Sequence, residues 1–163
     1  MKFLFEKFAE QLIHNENGPI RFAFALAAPL FFGALGFILE KSVWALLGFA
    51  LIPCAVLVVV LVNGSFYIQD IYEIDDFFKT FNYLLSALFG FGGETLKISG
   101  GNKILKEGDV NTLDRIGGPG HINVEPGNAV ILETLVSPSR ILGAGEHEVF
   151  RHEIIKGVVS LDE

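Results

Sequence analysis

The chain has 163 residues and a formal net charge of −7, and its charges are unevenly distributed. Residues 1–63 carry four basic and four acidic side chains, whereas residues 64–163 carry eight basic and fifteen acidic ones. This acidic second part argues against nucleic-acid binding and against electrostatic docking on anionic lipid, because both need a basic face.

Residues 1–20 predict a short amphipathic segment at a membrane interface. Phe5, Phe8 and Leu12 follow helical spacing, and charged residues fall between them. A frayed terminus is the alternative. The segment Asn15–Pro19 contains Asn, Gly and Pro residues that end any helix.

Residues 21–63 predict a transmembrane helical hairpin. They contain two uncharged apolar runs, 22–39 and 43–62, which are separated by three polar residues. A hydrocarbon core about 30 Å thick needs roughly 20 apolar residues of helix, so both runs are long enough to span it. A pair of buried helices in a soluble core is the alternative, but such helices usually carry polar residues along one face. The long, glutamate-containing segment before the first run is not typical of a cleaved signal peptide.

The basic residues around the hairpin predict its orientation. Lys2, Lys7 and Arg21 precede the first run, and only Lys41 lies at the turn. The positive-inside rule then places both termini in the cytoplasm, as in a multi-pass protein of the bacterial inner membrane. Trp44 suits an aromatic belt at the membrane interface. Neither run contains an ionisable residue, so a transport function finds no support.

Residues 64–93 predict an amphipathic helix. An apolar stripe recurs at steps of three and four residues, and a cluster of acidic residues lies at its start. We interpret the segment as an interfacial helix, and the alternative is a core helix of the following domain. The residues expected to face the membrane interface are Phe78, Phe81, Leu85 and Leu88.

Residues 94–163 predict a small β-rich domain, so the fold class as a whole is an α+β membrane protein. Turns rich in Gly, Pro, Asn and Asp separate short apolar segments. The predicted strands are 94–98, 121–124, 128–135 and 153–161, with one further short strand possible within 99–120.

The sequence predicts no enzyme. The motif Gly117–Gly120 lacks the Lys-Ser/Thr ending of a phosphate loop and is interpreted as a turn. His121, His147 and His152 lack zinc-helix spacing, so solvated charge beside a strand is favoured over a metal site. Nothing assembles a nucleophile, a base and an orienting group. No cofactor, metal or small-molecule substrate is therefore expected.

The segment 128–162 resembles the opening of an SPFH (band 7; stomatin, prohibitin and flotillin-like) domain. Such domains begin with a strand that ends in a glutamate and a polar turn, followed by an arginine-led strand, a Pro-Gly-Leu-His-like turn and a strand that ends in Val-Asp-Leu. Here Ala144 stands where proline is usual, and Leu161-Asp162 is in reverse order. The matching residues are Glu133, Arg140, Gly143, Gly145, His147, Val158, Val159, Leu161 and Asp162.

The resemblance implies a non-enzymatic, membrane-anchored scaffold that binds other proteins through a cytoplasmic β domain. SPFH domains continue well beyond the matching strands, so we expect either a fragment or a naturally short relative. In a short relative the last strand is an unpaired edge that suits a protein partner or a second copy. The candidate interaction residues on it are Ile154, Val158 and Val159. The alternative function is an accessory subunit of a larger membrane protein complex.

Overall fold

The computed structural model describes residues 18–105 and 110–161. The predicted amphipathic segment 1–20 lies almost entirely outside the described residues, as does Asp162. The protein has an α+β architecture in which two long apolar helices precede a small β domain, and this confirms the predicted fold class at that level. Within these described residues the helices are α1 (Gly18–Glu40), α2 (Val43–Tyr72), α3 (Phe77–Phe89) and α4 (Thr112–Arg115).

Helices α1 and α2 form a tight antiparallel pair. Ser42 caps α2, because its side chain accepts a hydrogen bond from the backbone N–H of Trp44 at 3.3 Å. Near the turn the backbones approach closely at Gly36, where an added Cβ would lie 2.7 Å from the carbonyl oxygen of Ala45. Small residues therefore set the distance between the two helices.

Helix α2 continues ten residues beyond the predicted apolar run 43–62, so it crosses the predicted boundary between residues 63 and 64. Asn63 Nδ2 donates to the carbonyl of Val59 at 2.8 Å, and Ser65 Oγ donates to that of Leu61 at 2.8 Å. These bonds stay within the helix, so polar residues that favour turns elsewhere do not end it here. The predicted single helix within 64–93 is consequently divided between the end of α2 and a separate α3.

Helix α3 folds back along the end of α2. Asp76 caps it by accepting hydrogen bonds from the backbone of Phe78 and Lys79, and Gly90, with φ of 74°, ends it. The Phe77 ring packs on Phe66 of α2 with centroids 5.1 Å apart. Gly18 of α1 abuts the other end of α3, where an added Cβ would lie 2.2 Å from the carbonyl oxygen of Phe89.

In the part of the β domain that the structure describes, the strands form two small sheets, with strand orders β2-β1-β3-β6 and β5-β4-β7. Strands β1 and β3 are parallel, and every other pair is antiparallel. Strands β1, β3, β4 and β7 agree with the four predicted strands to within two residues. The strands are β1 (Thr95–Ser99), β2 (Asn102–Ile104), β3 (Gly120–Val124), β4 (Asn128–Glu133), β5 (Pro138–Leu142), β6 (Gly145–Val149) and β7 (Ile154–Ser160).

One apolar core lies between the two sheets. Alternate residues of β1, β3 and β4 point into it, and Leu113 of α4 covers one end. Polar bonds join the sheets at the edge of this core: Asn128 Oδ1 accepts from the backbone N–H of Gly101 at 2.6 Å. The core residues are Leu96, Ile98, Leu113, Ile122, Val124, Val130, Leu132, Leu142 and Val149.

Hydrogen bonds and an ion pair attach the β domain to the helices. Arg115 forms an ion pair with Glu73 at 3.1 Å, and its Nε donates to the carbonyl of Tyr72 at 3.0 Å. Lys79 Nζ donates to the carbonyl of Val110 at 2.9 Å. Tyr83 donates its hydroxyl hydrogen to the carbonyl of Gly118 at 3.3 Å. These bonds fix the β domain against α2 and α3.

We expect Gly36→Leu to destabilise the helical pair and Gly48→Leu to be tolerated. A side chain at Gly36 would enter the α1–α2 contact, whereas an added Cβ at Gly48 meets nothing within 4 Å. Overpacking of this kind typically costs about 1–3 kcal/mol. Thermal unfolding of the full chain in mild detergent, followed by circular dichroism, measures the difference. Equal melting temperatures for the two variants would contradict the close helix approach.

Candidate membrane-anchor and protein-binding surfaces

The surfaces of α1 and α2 are apolar and exposed. Both helices are long and apolar enough to cross a membrane, and only 11% of the most apolar part of each is buried within the protein. Leu30 is 73% exposed and Leu51 is 66% exposed. A core helix of a soluble domain would instead be mostly buried, so this surface needs an apolar environment outside the described chain.

The predicted interfacial residues do not share one surface. Trp44 is 83% exposed and lies beside the α1–α2 turn. Phe78 is 79% exposed and lies at the start of α3, which packs beside the opposite end of α2. Phe81, Leu85 and Leu88 are half-buried. The buried residues of α3 are Thr80, Ser86 and Phe89, and none of them is among the predicted interfacial residues. The apolar stripe of α3 is therefore only partly covered by the rest of the protein.

The predicted interaction residues of β7 point in different directions. Val158 and Val159 are neighbours and face opposite sides of the strand, and an irregularity in β7 separates Ile154 from the face of Val158. The register of β7 with β4 shifts between Ile155 and Gly157, so that Lys156 is an extra residue. As a result both Ile155 and Val158 pack against the core. Ile154 is half-buried and Val159 is exposed. The strand lies at the end of its sheet, so its other edge has no strand partner among the described residues.

A second exposed apolar surface, which the sequence analysis missed, lies on the β4–β5 hairpin. Leu135 and Val136 at its tip are 88% and 93% exposed, and Ile141 on β5 is 71% exposed. The available signal was the apolar pair Leu135-Val136 directly before the turn residues Ser137-Pro138. We call Leu135, Val136 and Ile141 the hairpin patch.

Glu153 is the centre of a polar cluster at the start of β7. Its carboxylate accepts hydrogen bonds from Ser139 Oγ at 2.5 Å, from Arg140 Nη2 at 2.9 Å and from the backbone N–H of Phe150 at 2.8 Å. The Arg140 guanidinium lies 4.3 Å from the centroid of the Phe150 ring. The cluster thus joins β5 to the end of β6, and the Glu153 side chain is only 5% exposed.

The electrostatics of Glu153 follow from these contacts. Burial acts to raise its pKa, but the hydrogen bonds from Arg140, Ser139 and Phe150 outweigh burial and hold the pKa below the ordinary value. On the other side of the domain, hydrogen bonds from Lys97 and Ser99 lower the pKa of Glu125. Both carboxylates remain charged and bonded within the β domain, which indicates structural roles.

His121, His147 and His152 lie in different surroundings within the β domain. His147 Nε2 lies 2.9 Å from the carbonyl oxygen of Gly143. His121 is opposite Glu148 in the β3–β6 register, and His152 adopts a positive φ of 75° in the turn before β7. Among residues 18–105 and 110–161, no three His, Cys, Asp or Glu side chains converge to hold a metal.

Comparisons of the chain with protein-family models, with curated proteins and with solved structures gave no match. The resemblance to SPFH domains therefore remains a prediction. The structure places its residues Glu133, Arg140 and Gly145 on β4, β5 and β6 respectively.

We expect Glu153→Gln to lower the free energy of unfolding of the β domain by about 1–3 kcal/mol, because it leaves Arg140 without its carboxylate. Glu146→Gln, on the exposed β6 surface, is the matched control. Amide hydrogen exchange of β4 and β7 in the full chain measures local stability. Unchanged exchange in Glu153→Gln would show that the cluster contributes nothing.

The lowered pKa of Glu153 also predicts acid sensitivity. A carboxyl whose pKa is lower in the folded state contributes stability above its unfolded pKa of about 4.3 and loses it as pH falls through the folded value. We therefore expect protection of β4 and β7 to decrease below about pH 4. The decrease should be shallower in Glu153→Gln than in Glu146→Gln, and equal slopes would contradict the assignment.

Proposed function

We propose that the protein is a non-enzymatic, membrane-anchored scaffold of the SPFH type. In this proposal α1 and the apolar part of α2 cross the bacterial inner membrane as a hairpin, and the β domain binds other proteins in the cytoplasm. The observation that carries the proposal is the exposed apolar surface of two long helices that are joined to a folded β domain. The SPFH-like segment 128–162 supports the scaffold class.

The attachment of the β domain supports a scaffold more than a loosely tethered domain. Helix α2 leaves the apolar run without a break, and α3 packs back onto it. Arg115 then binds Glu73 and the carbonyl of Tyr72 at the end of α2. A domain held in this way presents its surfaces at a set distance and orientation relative to the anchor.

Cysteine labelling tests the topology. We expect Lys41→Cys at the helix turn and Glu146→Cys on β6 to react from opposite sides of the membrane in inverted and right-side-out vesicles. Both variants should be made in a Cys54→Ala background, because Cys54 is a free cysteine. Labelling of both positions from the same side would refute the transmembrane hairpin.

An accessory subunit of a larger membrane complex is the second candidate, and the hairpin patch favours it. Leu135 and Val136 are almost fully exposed. Leu135 lines the same cavity as Arg151, which lies in the turn between β6 and β7, and Tyr83 of α3. Such side chains are usually covered in a complex, since apolar contact supplies much of the binding energy of stable interfaces.

We expect Leu135→Ser combined with Val136→Ser to reduce binding of neighbouring subunits without unfolding the β domain, because both side chains are exposed. Extraction in mild detergent followed by size-exclusion chromatography and mass measurement detects the assembly. Thr95→Ser, at an exposed strand position, is the control. A wild-type chain that runs alone as a monomer would argue against the accessory-subunit function.

A further inference from the structure

An apolar groove of about 610 Å³ opens along α1 and α2. Helix α1 contributes Ala25, Ala28, Phe32 and Leu35, and α2 contributes residues between Phe49 and Val60. Gly33 and Gly36, where α1 approaches α2 closely, lie along one side of the positions that line the groove, at about 100° per residue. We call this cleft the flank groove.

Arg21 lies on the same face of α1 as the flank groove. The positions 21, 25, 28, 32 and 35 advance by four, three, four and three residues, which keeps them on one side of a helix. All three side-chain nitrogens of Arg21 are buried, and none has a hydrogen-bond partner among the described residues. A buried guanidinium without an anion is costly, so this end of the groove favours a negatively charged group.

A second cation lies nearby. Arg151, in the turn between β6 and β7, lines a cavity of about 290 Å³ together with Tyr72 and with Tyr83 of α3. Helix α3 also contacts α1 next to Arg21, since the ring centroids of Phe22 and Phe89 are 5.6 Å apart. The positive charges of Arg21 and Arg151 repel each other. Burial and the neighbouring Tyr72 raise the pKa of Tyr83 to about 12, so its hydroxyl stays protonated. An anion at this place would relieve the repulsion.

The flank groove and Arg21 together indicate the kind of occupant. The lining residues of α1 extend over about 15 Å of helix, and Arg21 lies one turn before them on the same face. An amphiphile with an apolar chain and an anionic head group matches both the apolar lining and the unpartnered guanidinium. An apolar helix of a partner or of a second copy would leave Arg21 without an anion.

We propose that the protein binds one phospholipid, with its phosphate at Arg21 and Arg151 and one acyl chain in the flank groove. The inference rests on the proposed membrane anchor, because it takes the occupant from the bilayer. The apolar groove selects the chain, the two guanidinium groups select the phosphate, and both lie along one face of α1.

Native mass spectrometry of the full chain, delipidated in mild detergent and then supplied with phosphatidylglycerol, tests the site. We expect one lipid retained per wild-type chain and roughly tenfold weaker retention in Arg21→Gln, as for loss of a charge-assisted hydrogen bond. Arg21→Lys should restore much of the retention. Diacylglycerol, which lacks the phosphate, and inorganic phosphate, which lacks the chain, should both be retained far more weakly than the intact lipid.

The apolar half of the site has its own pair of variants. Ala28→Phe should fill the groove and reduce lipid retention, whereas Ala34→Phe, on the opposite and exposed face of α1, should not. Melting temperatures show whether each variant remains folded. Equal retention in wild type and Arg21→Gln, or in the two phenylalanine variants, would overturn the proposal. A wild-type dimer that Ala28→Phe dissociates and Ala34→Phe leaves intact would also overturn it, because a helix of a second copy would then occupy the groove.

Different experimental results would refute the membrane anchor and the lipid site. A wild-type chain that does not partition into phosphatidylglycerol vesicles refutes the anchor itself. A chain that inserts normally but whose lipid retention is indifferent to Arg21→Gln and Ala28→Phe refutes only the lipid site.

Discussion

The continuity of helix α2 is the constraint on which the rest of the structure depends. It runs from Val43 to Tyr72 through the sequence Asn63-Gly64-Ser65, which favours a turn in isolation. Two side-chain hydrogen bonds return to carbonyls of the same helix, and Leu84 of α3 packs where a larger residue than Gly64 would intrude. Because the helix continues past residue 65, its last turns provide the surface on which α3 packs. The same end of α2 also provides the groups at Tyr72 and Glu73 to which Arg115 of the β domain binds.

Hydrogen bonds join the two sheets of the β domain at places that the small apolar core does not reach. Glu153 connects β5 with the end of β6, and Asn128 connects the start of β4 with the β1–β2 turn. The two groups thus lie at the boundaries between the three-stranded and the four-stranded sheet. Each is buried and satisfied by several donors or acceptors, so a change of register would leave charged or amide groups unpaired at substantial cost. Specific pairing of the sheets therefore depends on these few residues as much as on apolar contact.

Much of the fold could be predicted from local patterns. The predicted and observed elements differ where tertiary contacts determine the structure. The apolar runs, the Asp76 cap before α3 and the alternation in β4 are encoded within a few residues. The extension of α2 was not predictable from propensity, because packing against α3 outweighs the turn preference of Asn63-Gly64-Ser65. Strand β6, with the sequence Gly-Glu-His-Glu-Val, shows almost no apolar alternation and is held by pairing with β3. The bulge at Lys156 could not be read from the sequence, and it places Ile154 and Val158 on different faces of β7. The relation between Arg21 and Arg151 joins residues 130 positions apart in the chain, which no local pattern shows.

The length of α2 also has a mechanical consequence. Its 30 residues measure about 45 Å, of which a bilayer core would take about 30 Å and leave about 15 Å as a rigid arm. A helix that tilts to match a thinner bilayer swings such an arm sideways, and a tilt of about 20° moves its tip by roughly 5 Å. Because the β domain is fixed to that tip at Glu73, bilayer thickness would set where its surfaces stand relative to neighbouring proteins.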